Sequence, residues 1–129
     1  MAGKLSPGAQ VRLATLGEFI SRVQHVHGLV EMYTTSKANQ EQYQMPIQRA
    51  FGKLKLQFMG AGLDTLSQLC GSMEMAARRG MSPSARARIL REGVGSLKFQ
   101  LELAQRAVHS DEQAAARQAS DESSEAATS

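Results

Sequence analysis

Three histidines, one cysteine and a scatter of carboxylates are the side chains of this chain that could do nucleophilic, acid–base or metal chemistry. His25 and His27 are two residues apart, and on a helix that spacing turns them about 200° from each other, too far to share one metal ion. His109 stands alone near the end of an apolar pattern. Cys70 has no second thiol to pair with, which rules out an internal disulfide and fits a reducing, cytoplasmic setting. The carboxylates of residues 1–109 are Glu18, Glu31, Glu41, Asp64, Glu74, Glu92 and Glu102. They are scattered, and none forms the Glu-x-x-His pair of a di-iron bundle. The run "FGKLKL" is not a phosphate-binding loop, which would need a glycine, four residues and then Gly-Lys-Ser/Thr. No Ser, His and acid set stands out at a strained turn. The expectation is a chain with no catalytic residue, no metal and no cofactor. His27 draws notice because it falls in an apolar stripe. A reactive or phosphorylatable imidazole is one reading of it; a half-buried ring with a hydrogen-bond partner is the preferred one.

The elements that would position these residues are helices. Ser6-Pro7 is a helix start, with Ser6 capping and Pro7 at the first helical position. The stripe Leu13, Leu16, Ile20, Val23, His27, Val30 then advances by threes and fours, predicting a first helix over about 8–35. "TTSKANQEQYQMP" is polar and ends in Pro46, so it reads as a connection with at most a short helical turn. From Pro46 a second helix carries Ile47, Ala50, Phe51, Leu54 and Phe58 on one face, and "MGAG" at 59–62 breaks it. A third helix over about 63–79 has the stripe Leu63, Leu66, Cys70, Met73, Ala77. "RRG" closes it, with Gly80 as the expected C-terminal cap. Ser82-Pro83 opens a fourth helix with the stripe Leu90, Val94, Leu97, Leu101, Ala104, Val108. No segment alternates with period two. Four amphipathic helices with short links predict an all-α, antiparallel four-helix bundle over 1–109.

Charge is unevenly spread. The chain is +3 overall, but 110–129, "SDEQAAARQASDESSEAATS", holds five acids and one arginine, about −4. It has no Leu, Ile, Val or Phe, so it predicts a disordered acidic tail or a frayed extension of the last helix. No run of about 18 apolar residues could cross a membrane, and the start has no continuous apolar core of a signal peptide.

The segment "RAFGKLKLQFMGAG", 49–62, places a bare glycine and two lysines inside a core-forming helix. Glycine there costs about 1 kcal/mol relative to alanine, which asks for a compensating contact such as close approach of another helix or a partner. Read on through "LDTLSQLCGSMEMAARRG", the hairpin resembles that of the histidine-containing phosphotransfer domains. These are four-helix modules that relay phosphoryl groups between the receiver domains of response regulators. The family's hairpin reads A-H-x-L-K-G-S and then L-x-x-L-C-x-x-L-E-x-x-A-R-x-G. Leu66, Leu69-Cys70, Met73-Glu74, Ala77-Arg78 and Gly80 fall at that spacing, and Leu54-Lys55 takes the Leu-Lys position. The phosphorylated histidine then falls on Gly52, and the glycine four residues on becomes Leu56. Sliding the register by two places Ala50 at the histidine position instead. Neither register supplies a nucleophile.

The resemblance therefore implies a degenerate phosphotransfer domain that keeps its docking face and has lost the relay. Its partner would be a response-regulator receiver domain or a histidine kinase, bound as adaptor, competitor or inhibitor. The implied partner-binding residues are Gly52, Lys53, Lys55, Leu56, Gln57 and Met59, with both lysines presenting positive charge to an acidic receiver pocket. A competing reading is a basic helical scaffold or nucleic-acid-binding protein, based on Arg78-Arg79, Arg86, Arg88 and Arg91. Missing aromatic interleaving makes it the weaker of the two. A homo-oligomer zipped through the fourth helix is a further alternative.

Overall fold

The structure, a computed structural model, describes residues 5–36 and 38–128, with side chains described as far as residue 120. Four helices account for nearly all of it: α1 (Pro7–Thr35), α2 (Gln40–Gly60), α3 (Asp64–Arg78) and α4 (Pro83–Thr128). The fold is all-α with antiparallel neighbours, as the stripes predict. The described residues fall into two compact units, Ile20–Gln100 and the pair 5–19 with 101–128.

In the unit Ile20–Gln100 most of the predicted stripe residues form the core, while Ile20, His27 and Leu63 are half-buried and Leu63 lies just before α3. Val23, Val26, Val30 and Tyr33 are buried from α1, Ile47, Phe51, Leu54 and Phe58 from α2, Leu66, Cys70 and Met73 from α3, and Leu90, Val94 and Leu97 from α4. Each large aliphatic or aromatic residue so placed contributes about 1.5–3 kcal/mol. Helices α2 and α3 run antiparallel: Ser67 Oγ donates to the Lys55 carbonyl at 2.9 Å, and Gln44 Nε2 donates to the Ala77 carbonyl at 2.8 Å. Within the same unit α1 and α4 are also antiparallel. Arg91 bonds Glu31, and Lys98 reaches back to Gln24.

In the other unit, Ser6 caps α1 as expected, its Oγ accepting from the Ala9 amide at 3.2 Å. Ser6 also donates its hydroxyl (2.7 Å) and its amide (3.1 Å) to the Glu112 carboxylate. Those two bonds, hydroxyl first, hold the Glu112 carboxyl below its ordinary value. Of the two forms expected for 110–129, α4 takes the helical one and continues through Thr128. Alanine, glutamine and glutamate, which dominate this stretch, are strong helix formers.

The helix ends show where local signals decide and where packing does. Ser82 caps α4 through the Ala85 amide at 3.2 Å, as its position before Pro83 predicts. At the end of α2, Gly62 has φ +75°. The Gly62 amide bonds the Met59 carbonyl and the Leu63 amide bonds the Phe58 carbonyl. This is a paired C-terminal closure that needs a left-handed residue.

Two boundaries differ from the sequence reading. Helix α2 begins at Gln40, so Pro46 lies inside it. The bond from Gln44 to the end of α3 anchors the polar first turns that composition assigns to a connection. Gly80 is not the cap of α3. Arg79 ends that helix in extended backbone (φ −67°, ψ 142°), and a left-handed glycine is not used. The closing partner is Arg86 of α4. Its guanidinium is buried and bonds the Ala76 carbonyl, the Arg79 carbonyl and the Tyr33 hydroxyl. A cation on the last carbonyls of a helix replaces the glycine closure.

Candidate functional site

Helix α2 carries every residue the resemblance assigns to partner binding, and its geometry sorts them onto three faces. Ile47, Phe51, Leu54 and Phe58 take the inward face at helical spacing. What remains is a flank toward α3, a flank toward α1 and an outward face.

The flank toward α3 holds Gly52 and Lys55. A Cβ built on Gly52 would lie 3.2 Å from Glu74 Oε2 and 3.3 Å from its carboxyl carbon. Glycine 52 thus leaves room for the Glu74 carboxylate, whose side chain is only 14% exposed. Lys55 Nζ lies 3.3 Å from Glu74 Oε2, and Arg78 Nη2 donates to Glu74 Oε1 at 2.8 Å. The Lys55 stem passes over Gly71. The glycine that asks for a close approach finds it inside the molecule, from α3. In the first register of the resemblance, the position of the phosphorylated histidine faces a carboxylate paired to two cations.

The flank toward α1 holds Lys53 and Gln57. Both line a groove of about 300 Å³ with Ser21, Arg22, His25 and Val26 of α1 and with Ala50 and Leu54 of α2. Lys53 is exposed and Gln57 half-buried.

The outward face holds Leu56 and Met59, which are 65% and 56% exposed. Met45 joins them at 52% exposed, about three turns before Leu56 and four before Met59. The structure therefore spreads the predicted site residues around α2. Leu56 and Met59 point out, Lys53 and Gln57 face α1, and Gly52 and Lys55 face α3, where Lys55 already has an anionic partner.

The other candidate side chains of this unit, His25, His27 and Cys70, lie apart from one another. His27 is half-buried, with Nδ1 2.7 Å from Lys98 Nζ and Nε2 3.6 Å from Glu31 Oε1. An ammonium can only donate, so Nδ1 accepts and the ring proton sits on Nε2, facing Glu31. Glu31 takes a two-pronged bond from Arg91, at 3.0 and 2.9 Å. That bond, with the charge of Arg91 behind it, holds the Glu31 carboxyl below its ordinary value. His25 lines the α1/α2 groove, and His109 is exposed on α4. Cys70 is fully buried, and burial pushes its thiol up to about 12, so it is a protonated thiol at neutral pH. No group of three metal-ligating side chains converges among the described residues. No described helix is long and apolar enough to cross a membrane.

Of the arginines that suggest a nucleic-acid patch, Arg78 is bonded to Glu74, Arg91 to Glu31 and Arg86 to Tyr33 and two carbonyls. Arg79 and Arg88 are exposed.

Sequence reasoning missed the Gly52–Glu74 contact and the buried Arg86. The first had a usable signal, because Glu74 and Arg78 stand four apart on a helix and mark a polar seam. The second had one too, because Arg86 stands four before Leu90 and so continues the inward stripe of α4, whereas Arg88 is turned about 200° from it.

No protein-family model, curated protein or solved structure matches this chain. The four-helix architecture rests on the helices and their contacts.

Proposed function

We propose that this chain is a non-catalytic docking module whose outward α2 face binds the receiver domain of a response regulator, as adaptor or inhibitor. The observation that carries this reading is the short apolar strip Leu56 and Met59, each more than half exposed about one turn apart on the outward face of α2, with Met45 exposed about three turns earlier on the same side beyond Arg49. Large exposed apolar side chains aligned in this way mark protein-binding surfaces. Lys53 beside the strip supplies positive charge suited to an acidic receiver pocket. The partner class comes from the resemblance of 50–80 to the phosphotransfer hairpin. The absence of a relay follows from Gly52 and Ala50, neither of which can accept a phosphoryl group.

The test is a binding survey of the source organism's receiver domains against the full chain and Leu56→Glu. At least one receiver should bind, and Leu56→Glu should weaken it ten-fold or more, because a buried charge without a partner is costly. A phosphorylated receiver should leave no label on this chain. Acid-labile phosphate on His25 or His27 would overturn the non-catalytic reading, and failure to bind any receiver would overturn the partner.

A further inference from the structure

The groove between α1 and α2 shares Lys53 with the docking reading but has a chemical character of its own. Its floor is apolar, from Val26 and Leu54, which are buried, and from the small side chain of Ala50. Its lining carries Arg22 and His25 from α1 and Lys53 from α2, with Ser21 and Gln57 as hydrogen-bonding neutral groups. No carboxylate lines it. Two other grooves of this unit differ in that respect: Glu92 lines one and Glu41 the other.

We propose that the α1/α2 groove binds a small amphiphilic anion, an apolar body of roughly one aromatic ring carrying a single phosphate or carboxylate head. Size sets the first limit, since about 300 Å³ is at the small end of ligand sites and admits one ring rather than a long chain. Charge sets the second. Basic side chains come from both helices with no acid in the lining, so an anion entering between them gains favourable field from both walls. Burial sets the third, because the floor of Val26 and Leu54 gives an apolar body a place that inorganic phosphate cannot use. Lys53 and His25 are the head-group ligands and Ala50 sets the depth of the floor.

The experiment is amide and imidazole chemical-shift mapping of the full chain, titrated with phenyl phosphate, with benzyl alcohol and inorganic phosphate as half-ligands. Saturable shifts should centre on Ser21, His25, Ala50 and Gln57, with each half-ligand binding at least ten-fold more weakly. Lys53→Glu removes the head contact from an exposed position, and Ala50→Met fills the floor. Each should weaken phenyl phosphate ten-fold or more while circular dichroism stays unchanged. The proposal is overturned by any of three results: no saturable shift in the groove, equal binding to Lys53→Glu, or inorganic phosphate alone reproducing the shifts. None of these readouts involves a protein partner, so the groove and the receiver surface stand or fall separately.

Discussion

Two adjacent residues of α3 each meet a glycine, on different helices and with different consequences. Met73 turns toward α4, where a Cβ on Gly93 would collide with its sulfur and its Cγ. Glu74 turns toward α2, where a Cβ on Gly52 would press on its carboxylate without overlapping it. Met73 is 8% exposed and Gly93 is buried, so the first contact belongs to the core. Glu74 sits in a partly open seam with Lys55 and Arg78. The comparison teaches that a glycine inside a helix can serve close packing in one place and a polar bridge in another. Sequence alone does not tell them apart.

The largest expected effect breaks the core contact. Gly93→Ala should cost about 1–3 kcal/mol, the usual range for overpacking, despite the better helix propensity of alanine. Chemical denaturation measures it. If the collision with Met73 is the cause, adding Met73→Ala should give a double variant less unstable than the sum of the two single losses. Strict additivity would show that the two residues do not compete for that space.

The polar seam should respond less. Glu74→Ala removes two ion pairs from a mostly covered carboxylate, and about 1 kcal/mol is expected, falling at high salt. Gly52→Ala asks the flexible Glu74 end to give by a few tenths of an ångström, so the propensity gain should prevail by about 0.5 kcal/mol. In the Glu74→Ala background the same change should yield the full gain of about 1 kcal/mol. A loss of stability on Gly52→Ala that persists without Glu74 would mean that something else needs the bare glycine.

The smallest effect is in pH. Glu31 and Glu112 have folded-state values below the ordinary 4.5, so the unfolded chain takes up protons first as pH falls. Stability from both groups is complete above about 4.5 and declines as pH drops through their folded-state values. Arg91→Ala should remove the share of Glu31 from an acid denaturation curve and leave that of Glu112. Both pairs are solvent-accessible, so the effect should be slight and salt-sensitive.

The fold was legible because helical stripes of three and four recur in all four helices, from Val23 to Leu97, and packing had no reason to override them. The caps Ser6 and Ser82 and the break at "MGAG" were legible for the same local reason. The start of α2 was not, because the bond from Gln44 to Ala77 that holds it crosses between helices. Nor was the end of α3, where Arg86 replaces a glycine closure. At the candidate site the sequence located the right helix but not its division into faces. Lys53 and Lys55 look equivalent in "GKLKL", yet two steps along a helix turn them about 200° apart, one to the groove and one to Glu74.

The most direct test of receiver docking is a footprint: amide chemical shifts of the labelled chain titrated with a receiver domain that binds it. The expected shifts follow one face of α2, strongest around Leu56 and Met59 and reaching Met45 and Lys53, and are lost with Leu56→Glu. A footprint on α4 instead, or binding that Leu56→Glu leaves unchanged, would contradict the outward face of α2 as the docking surface.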